Sequence, residues 1–229
     1  MTMTQEELNK ALIEAAKTGG IEEVRDFVAA GAKIDAVDKW GMRPLHYAAW
    51  HDRLDVMDFL LEKGARIDTR DNTGWQALHF AATSGYLAAV ELLLAHGAKI
   101  DATGMMGSQA LHRASMRGHL PVVAFLVGSG ARVDAADVHG WQPLHLAARD
   151  GHLPVVAFLL ENDADPAAKD KDGQTPYALA NERPEVRALL KEWSNPDFQQ
   201  RRHQEKIAEI VNAQRRRIAR YAPKPGPRI

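Results

Sequence analysis

Histidines are the residues of this 229-residue chain with the widest potential for chemistry, and there are ten of them. A histidine can bind a metal ion or exchange protons near neutral pH. Four of them recur every 33 residues, each directly after a leucine, at His46, His79, His112 and His145. Copies that lie one repeat apart are too distant from each other to surround one metal ion. We therefore expect these four histidines to have a structural role.

No known catalytic or ligand-binding motif accompanies the histidines. The chain lacks H-E-x-x-H, the G-x-x-x-x-G-K-[ST] phosphate loop, the G-x-G-x-x-G fingerprint and the G-x-S-x-G nucleophile elbow. It also lacks cysteine, which excludes disulfides, cysteine nucleophiles and thiolate metal sites. We therefore expect a protein that is not an enzyme, with no catalytic residues, metal, cofactor or small-molecule substrate.

The period of 33 residues organises most of the chain. Each unit begins with a glycine, at Gly41, Gly74, Gly107, Gly140 and Gly173. In the first four units the start is followed by Leu-His, a pair of small residues, an apolar helix such as 56–61, and a Gly-Ala-basic-Ile/Val-Asp segment. The pattern predicts a turn, a short helix, a tight turn, a longer helix and an extended loop. Neither helix can bury its apolar face alone, so the units must stack.

The period and the Gly-x-[Thr/Arg/Gln]-[Pro/Ala]-Leu-His start resemble ankyrin repeats over residues 5–193. This resemblance implies an all-α solenoid of helix-turn-helix units with β-hairpin-like loops, whose function is to bind a partner protein. Within a repeat domain at 1–193 it predicts a capping repeat at 5–37, full repeats at 38–70, 71–103, 104–136 and 137–169, and a partial repeat at 170–193.

One departure from the family pattern concerns the residue that starts each first helix. The family usually places threonine there, where the hydroxyl caps the helix, but only Thr175 follows this rule. Gln76, Gln109 and Gln142 stand at equivalent positions and are poorer caps, at a cost of about 0.5–1 kcal/mol each. Replacing all three glutamines by threonine is therefore expected to raise the melting temperature.

The resemblance implies that hairpin tips and the exposed side of each first helix contact the partner. The predicted partner-binding residues are Trp40, Met42, Trp50, His51, Trp75, Met105, Met106, Met116, His139 and Trp141. Four of the five tryptophans of the chain are in this set. Tryptophan is the most frequent binding hot spot, and methionine adapts to varied partner shapes. The alternative is that some of these tryptophans pack against neighbouring repeats.

The charge of the chain is divided between its two parts. Residues 1–193 carry a formal charge of −7 and residues 194–229 carry +6. The acidic body favours a basic partner surface. In the second part, Asn195 and Pro196 predict the start of a helix. That helix has an apolar stripe, a basic patch formed by Arg215, Arg216, Arg217 and Arg220, and a proline-rich end.

Three interpretations of this basic helical tail remain open. It folds back to cap the last repeat, it binds a partner helix or a second copy, or its basic patch binds nucleic acid or an acidic membrane. The apolar stripe is short for a coiled coil, which favours a monomer over an oligomer. The N-terminus has no signal-peptide pattern, so we expect a cytoplasmic protein, and the arginine cluster also fits a nuclear-import signal.

Overall fold

Two helices form in each repeat because apolar residues recur at helical spacing between glycine-containing turns. The computed structural model describes residues 3–18, 20–202, 204, 205 and 208. Within these residues, every element of regular secondary structure is a helix. These are α1 Gln5–Thr18, α2 Ile21–Ala29, α3 Pro44–Trp50, α4 Leu54–Glu62, α5 Ala77–Ser84, α6 Leu87–Ala95, the 3₁₀ helix η1 Met105–Gly107, α7 Ala110–Arg117, α8 Leu120–Gly128, α9 Pro143–Asp150, α10 Leu153–Glu161, α11 Pro176–Leu179 and α12 Pro184–Trp193. The predicted all-α solenoid is confirmed.

The helices stack in two layers that share one core. Helices α1, α3, α5, α7, α9 and α11 pack side by side as the first layer, and α2, α4, α6, α8, α10 and α12 form the second. Leucines at equivalent positions fill the space between the layers and are at most 2% exposed, at Leu45, Leu78, Leu111, Leu144, Leu60, Leu93, Leu126 and Leu159. Full burial of each such side chain contributes about 1.5–3 kcal/mol, and all of them belong to one core that runs through the stacked units.

Tight turns between the layers depend on glycine for two reasons. Gly118 ends α7 with φ of 74°, in the left-handed region that side chains other than glycine rarely adopt. A Cβ atom at Gly118 would also lie 2.5 Å from Nδ1 of His152 in the next repeat. The Nε2 atom of the same imidazole lies 2.9 Å from the carbonyl oxygen of Met116. The turn glycine and the following histidine therefore join successive repeats.

Hairpin-like loops connect the units, and an aspartate orders most of them. Oδ1 of Asp38 accepts hydrogen bonds of 2.9 Å from the backbone N–H groups of Trp40 and Met42. Asp71, Asp137 and Asp170 accept the equivalent pairs in their own loops. Backbone bonds join three of the four pairs of successive loops, as between Asn72 N–H and the Trp40 carbonyl at 2.9 Å, and the pair without one is the loop at 71–75 with the loop at 104–108. The loops thus form an ordered edge beside the first helices.

The loop of the third full repeat departs from this pattern because Gly104 replaces the aspartate. Without the carboxylate, residues 105–107 form η1, in which Met106 has φ of 57°. The Ser108 N–H donates to the Met105 carbonyl at 3.2 Å instead. A Cβ atom at Gly104 would lie 2.8 Å from Cδ1 of Trp75, so the indole occupies space that an aspartate would need. This substitution reshapes the loop and leaves both methionines at its tip.

The helix-start glutamines make contacts that the sequence does not reveal. Nε2 of Gln76 donates to the Asp68 carbonyl at 2.9 Å, and Nε2 of Gln109 donates to the Asp101 carbonyl at 3.1 Å. Oε1 of Gln76 and Oε1 of Gln142 are both buried with no hydrogen-bond partner among the described residues, and Gln142 also lacks the bond from Nε2 to a loop carbonyl. Thr175 caps α11 as expected, since its Oγ1 accepts from the Ala178 N–H at 3.3 Å. The glutamines are therefore not equivalent poor caps.

We expect Gln142→Thr alone to raise the free energy of unfolding by about 0.5–1 kcal/mol, because it adds a cap and removes an unpaired buried oxygen. Gln76→Thr is the matched control: it also removes an unpaired buried oxygen, but it should gain less because it loses the bond to the Asp68 carbonyl. Urea denaturation of both variants measures the difference. Equal gains for both would show that the loop hydrogen bond contributes nothing.

The start of the tail agrees with its predicted cap. Oδ1 of Asn195 accepts from the Asp197 N–H at 2.9 Å, and residues 196–202 are helical. The Phe198 ring meets the Trp193 ring edge-on at 5.4 Å, at the end of α12. The basic patch at Arg215, Arg216, Arg217 and Arg220 lies outside the described residues.

Candidate protein-binding surface

The four motif histidines are fully buried and bonded to the backbone. In His79, Nδ1 accepts from the Gln76 N–H at 3.2 Å, so Nε2 carries the proton and donates to the carbonyl oxygens of Ala102 and Ser108 at 3.0 and 3.1 Å. Burial lowers the pKa of His79 to about 4 and also lowers the pKa of His46, His112 and His145. These imidazoles are therefore neutral tethers between a helix start and the following loop.

Metal-binding clusters and membrane-spanning helices are both absent from the described part of the chain. Within it, no group of three histidine, aspartate or glutamate side chains is placed to hold a metal ion. A helix long and apolar enough to cross a bilayer is also absent from the described residues.

Hairpin tips carry the most exposed of these residues. Trp40 is 56% exposed, and Met105 and Met106 are 47% and 56% exposed. His139 is also exposed at the next tip. The ammonium group of Lys39 lies 4.3 Å from the centre of the Trp40 ring and orients the indole. Large apolar side chains thus stand in solvent at two different tips.

Trp50 lies at the end of α3 and is 44% exposed. Its ring stacks near His51 at 5.9 Å and near Tyr47 at 6.4 Å between centroids, and it contacts Phe80 of the next repeat at 5.3 Å. One part of the indole is therefore held by aromatic neighbours while another part faces solvent. Trp50 therefore packs against the neighbouring repeat and also keeps part of its surface exposed.

Trp75 and Trp141 are half-buried, each beneath an arginine. The Arg113 guanidinium lies 4.4 Å from the Trp75 ring centre, and that of Arg149 lies 4.9 Å from the Trp141 ring centre. Nε1 of Trp141 donates to Oδ2 of Asp170 at 2.8 Å. Nε1 of Trp75 is buried and has no acceptor among the described residues. The position equivalent to Asp170 is Gly104 in this case, so no carboxylate is there to accept the bond. Neither indole is as open as the sequence suggested.

Met42 is a correction to the predicted surface. Its side chain is only 6% exposed and packs with Ile13, Tyr47 and Phe80. It occupies the position in its repeat that Trp75 occupies in the next, and the loop turns this position toward the first helices. A small enough side chain there is buried completely, so Met42 is a packing residue and is removed from the candidate surface.

A pocket of about 340 Å³ lies between the third and fourth full repeats. Its walls combine loop residues with residues of α7, which shows that hairpin tips and first helices line one groove. We call it the third-repeat pocket, and the residues that define it are Trp75, Met105, Met106, Arg113, Met116 and Trp141. Asp137, His139 and Asp172 complete its rim.

Arg113 is the pocket residue that sequence reasoning missed. The position after the motif histidine holds Tyr47, Phe80 and Leu146 in the other full repeats, and each of these is at most 7% exposed. Arg113 is the one charged residue among these four equivalent positions. Comparing that position across repeats would have found it, because a cation replaces a buried apolar side chain only there.

Comparison with known proteins agrees with the repeat pattern and the helix pairs. A family model described as "Ankyrin repeats (3 copies)" matches residues 12–104, 66–137 and 103–170. Myotrophin from Xenopus tropicalis is 37% identical over 55 residues, which cover 24% of this chain. The match spans 47% of the length of myotrophin, or about half of that relative.

Proposed function

Because the chain belongs to the ankyrin-repeat family, we propose that it is a non-catalytic protein-binding module that holds a partner protein in the groove beside its hairpin tips. The partner would contact a surface that we call the groove surface. It comprises Trp40, Trp50, His51, Trp75, Met105, Met106, Met116, His139 and Trp141. Family membership supports protein binding in general, and the placement of side chains supports this surface in particular.

The observation that carries the proposal is the exposure of Trp40, Trp50, Met105 and Met106. Exposing large apolar side chains to water is unfavourable, and clusters of them in a soluble protein usually mark interaction sites. Trp50 is also held in place by aromatic contacts with Tyr47 and Phe80. A side chain that is already ordered loses little conformational entropy on binding, so its contact area contributes to affinity with less opposing cost.

A second candidate is an adaptor whose basic tail binds nucleic acid or an acidic membrane, with the repeats as a scaffold. The charge of +6 on residues 194–229 favours it. Contacts between arginines and phosphates weaken steeply as salt rises, whereas apolar contacts respond little. Salt dependence therefore separates the two candidates.

The proposal can be tested by affinity capture from a cell lysate with mass spectrometry, using the full chain and three variants. Trp40→Ala/Trp50→Ala removes two exposed groove side chains. Leu54→Ala, also a large exposed apolar residue but at the start of outer helix α4, is the control. A tail variant replaces Arg215, Arg216, Arg217 and Arg220 with glutamine.

A partner that is lost with the double tryptophan variant and retained by Leu54→Ala and by the tail variant supports the groove. Partners lost only with the tail variant would overturn the proposal and transfer the function to residues 194–229. Thermal unfolding of each variant confirms that the comparison is made between folded proteins.

A further inference from the structure

Arg113 places a positive charge on the wall of the third-repeat pocket without an internal counter-charge. Its guanidinium makes no ion pair within the described residues, and its hydrogen bonds go to Oγ1 of Thr83 at 3.4 Å and Sδ of Met116 at 3.6 Å. Arg117 is likewise unpaired there. Burial and the nearby charges of Arg117 and Arg149 lower the pKa of Arg113. A half-buried cation beside two like charges is unfavourable unless an anion joins it.

The carboxylates near the pocket are already engaged or turned elsewhere. Oδ1 of Asp137 accepts from the backbone of its own loop, at 2.8 and 2.9 Å. Asp150 pairs with Arg149 at 2.7 Å, and Asp170 accepts from Trp141. Asp172 stands exposed on the rim and forms no ion pair with Arg113. None of these four groups neutralises the Arg113 guanidinium.

The glycine at position 104 means that one more carboxylate is missing beside the third-repeat pocket. An aspartate holds this loop position in the repeats before and after it, at Asp71 and Asp137. At Asp170 the side chain also accepts the indole N–H of the tryptophan in the preceding repeat. The third full repeat therefore lacks one acidic group at Gly104 and gains one basic group at Arg113. Both changes act in the same direction, toward a local deficit of negative charge.

Apolar surface surrounds this deficit. Met105 and Met106 stand at the tip above the pocket, and Trp75, Met116 and Trp141 form walls that are only half-covered. The volume of about 340 Å³ is sufficient for one large side chain. Flexible methionines beside rigid indoles suit an aliphatic or aromatic group from a partner.

From this arrangement we infer that the third-repeat pocket selects a partner segment in which an aspartate or glutamate stands next to a large apolar side chain. The carboxylate pairs with Arg113, while the apolar group enters between the methionines and Trp141. This inference rests on the proposed function and specifies the chemistry of the partner. The partner group at this pocket is acidic, whereas the net charge of the whole repeat body favours a partner surface that is basic elsewhere.

The test uses a phage library of random linear peptides selected on the full chain. Selected peptides are then titrated against the full chain, Arg113→Gln, Arg132→Gln and the groove variant Trp50→Ala. Arg132 is an exposed arginine after α8 and loses the same charge without altering the pocket. Peptides in which the acidic residue is replaced by its amide are titrated against the unmodified chain, so that this arm does not depend on how a protein variant folds.

The inference predicts selected peptides with an acidic residue beside a large apolar one. It predicts that Arg113→Gln and the peptide amide each weaken binding at least about tenfold, and that Arg132→Gln changes affinity less than about twofold. Peptides without acidic residues, or acidic peptides insensitive to both changes, would overturn it. If those peptides still lost affinity on Trp50→Ala, the groove proposal would stand. Peptides insensitive to every groove substitution would contradict both.

Discussion

Lowering the pH from about 7 to about 5 should reduce the free energy of unfolding by about 2 kcal/mol through His79 alone, and by about 3 kcal/mol at pH 4. Burial holds the pKa of His79 at about 4, against 6.5 for an ordinary histidine. The unfolded chain therefore binds a proton before the folded chain does. Stability from this group is complete well above pH 6.5, is lost as the pH falls through about 4, and falls no further below about pH 3.

The three other motif histidines add to this loss in the same direction, since burial lowers the pKa of each. Protonating Nδ1 would also break the hydrogen bond from the helix-start N–H, as at Arg43 with His46, which is 3.0 Å long. The acid sensitivity is thus a direct consequence of the motif that defines the repeat.

Urea denaturation at several pH values measures this effect. His79→Gln should be less stable at pH 7 but should lose less stability between pH 7 and 5 than the unmodified chain. His139→Gln, which removes an imidazole at an exposed hairpin tip, is measured beside it as the control. A free energy of unfolding that is constant between pH 7 and 5 would contradict the buried, neutral state of these imidazoles.

Trp50→Ala should weaken partner binding by about 2 kcal/mol or more, while lowering the free energy of unfolding by only about 1 kcal/mol through its lost aromatic contacts. The indole is 44% exposed at the end of α3, so its loss leaves little cavity. Trp75→Ala should weaken binding by a similar amount and should also cost about 2 kcal/mol of stability. The difference arises because Trp75 is enclosed by Gly104, Phe80 and the Arg113 guanidinium.

Titration calorimetry with a captured partner and urea denaturation of the same samples separate the two effects. Leu54→Ala serves as the control for removing an exposed apolar group outside the groove. Unchanged affinity for both tryptophan variants, with intact folding, would remove the groove surface from the account.

Most of the fold follows from the sequence because its determinants are local and repeated. The alignment of Leu45 with Leu78 and later copies identifies the core, and the turn glycines mark the ends of first helices. The motif histidines could be assigned a structural role from spacing alone. Their hydrogen bonds to the following loop, however, depend on how one repeat meets the next.

The candidate surface was less predictable, because exposure is a property of packing between repeats. Met42 occupies the same repeat position as Trp75, yet Met42 is buried and Trp75 is half-buried. Gln76 and Gln142 also share one repeat position, but only Gln76 of these two donates a hydrogen bond to a loop carbonyl. The importance of Arg113 emerges only when the missing carboxylate at Gly104 is placed beside it.

The central claim is that a partner protein binds the apolar groove, and the most direct measurement is the dissociation constant for a captured partner at about 0.1 M and about 0.5 M salt. The full chain and Trp50→Ala are compared at both concentrations. If the partner binds the groove, Trp50→Ala raises the dissociation constant by about thirtyfold or more, and salt changes it less than about threefold. A dissociation constant that is unaffected by Trp50→Ala and rises about a hundredfold with salt would contradict groove binding and assign the affinity to the basic tail.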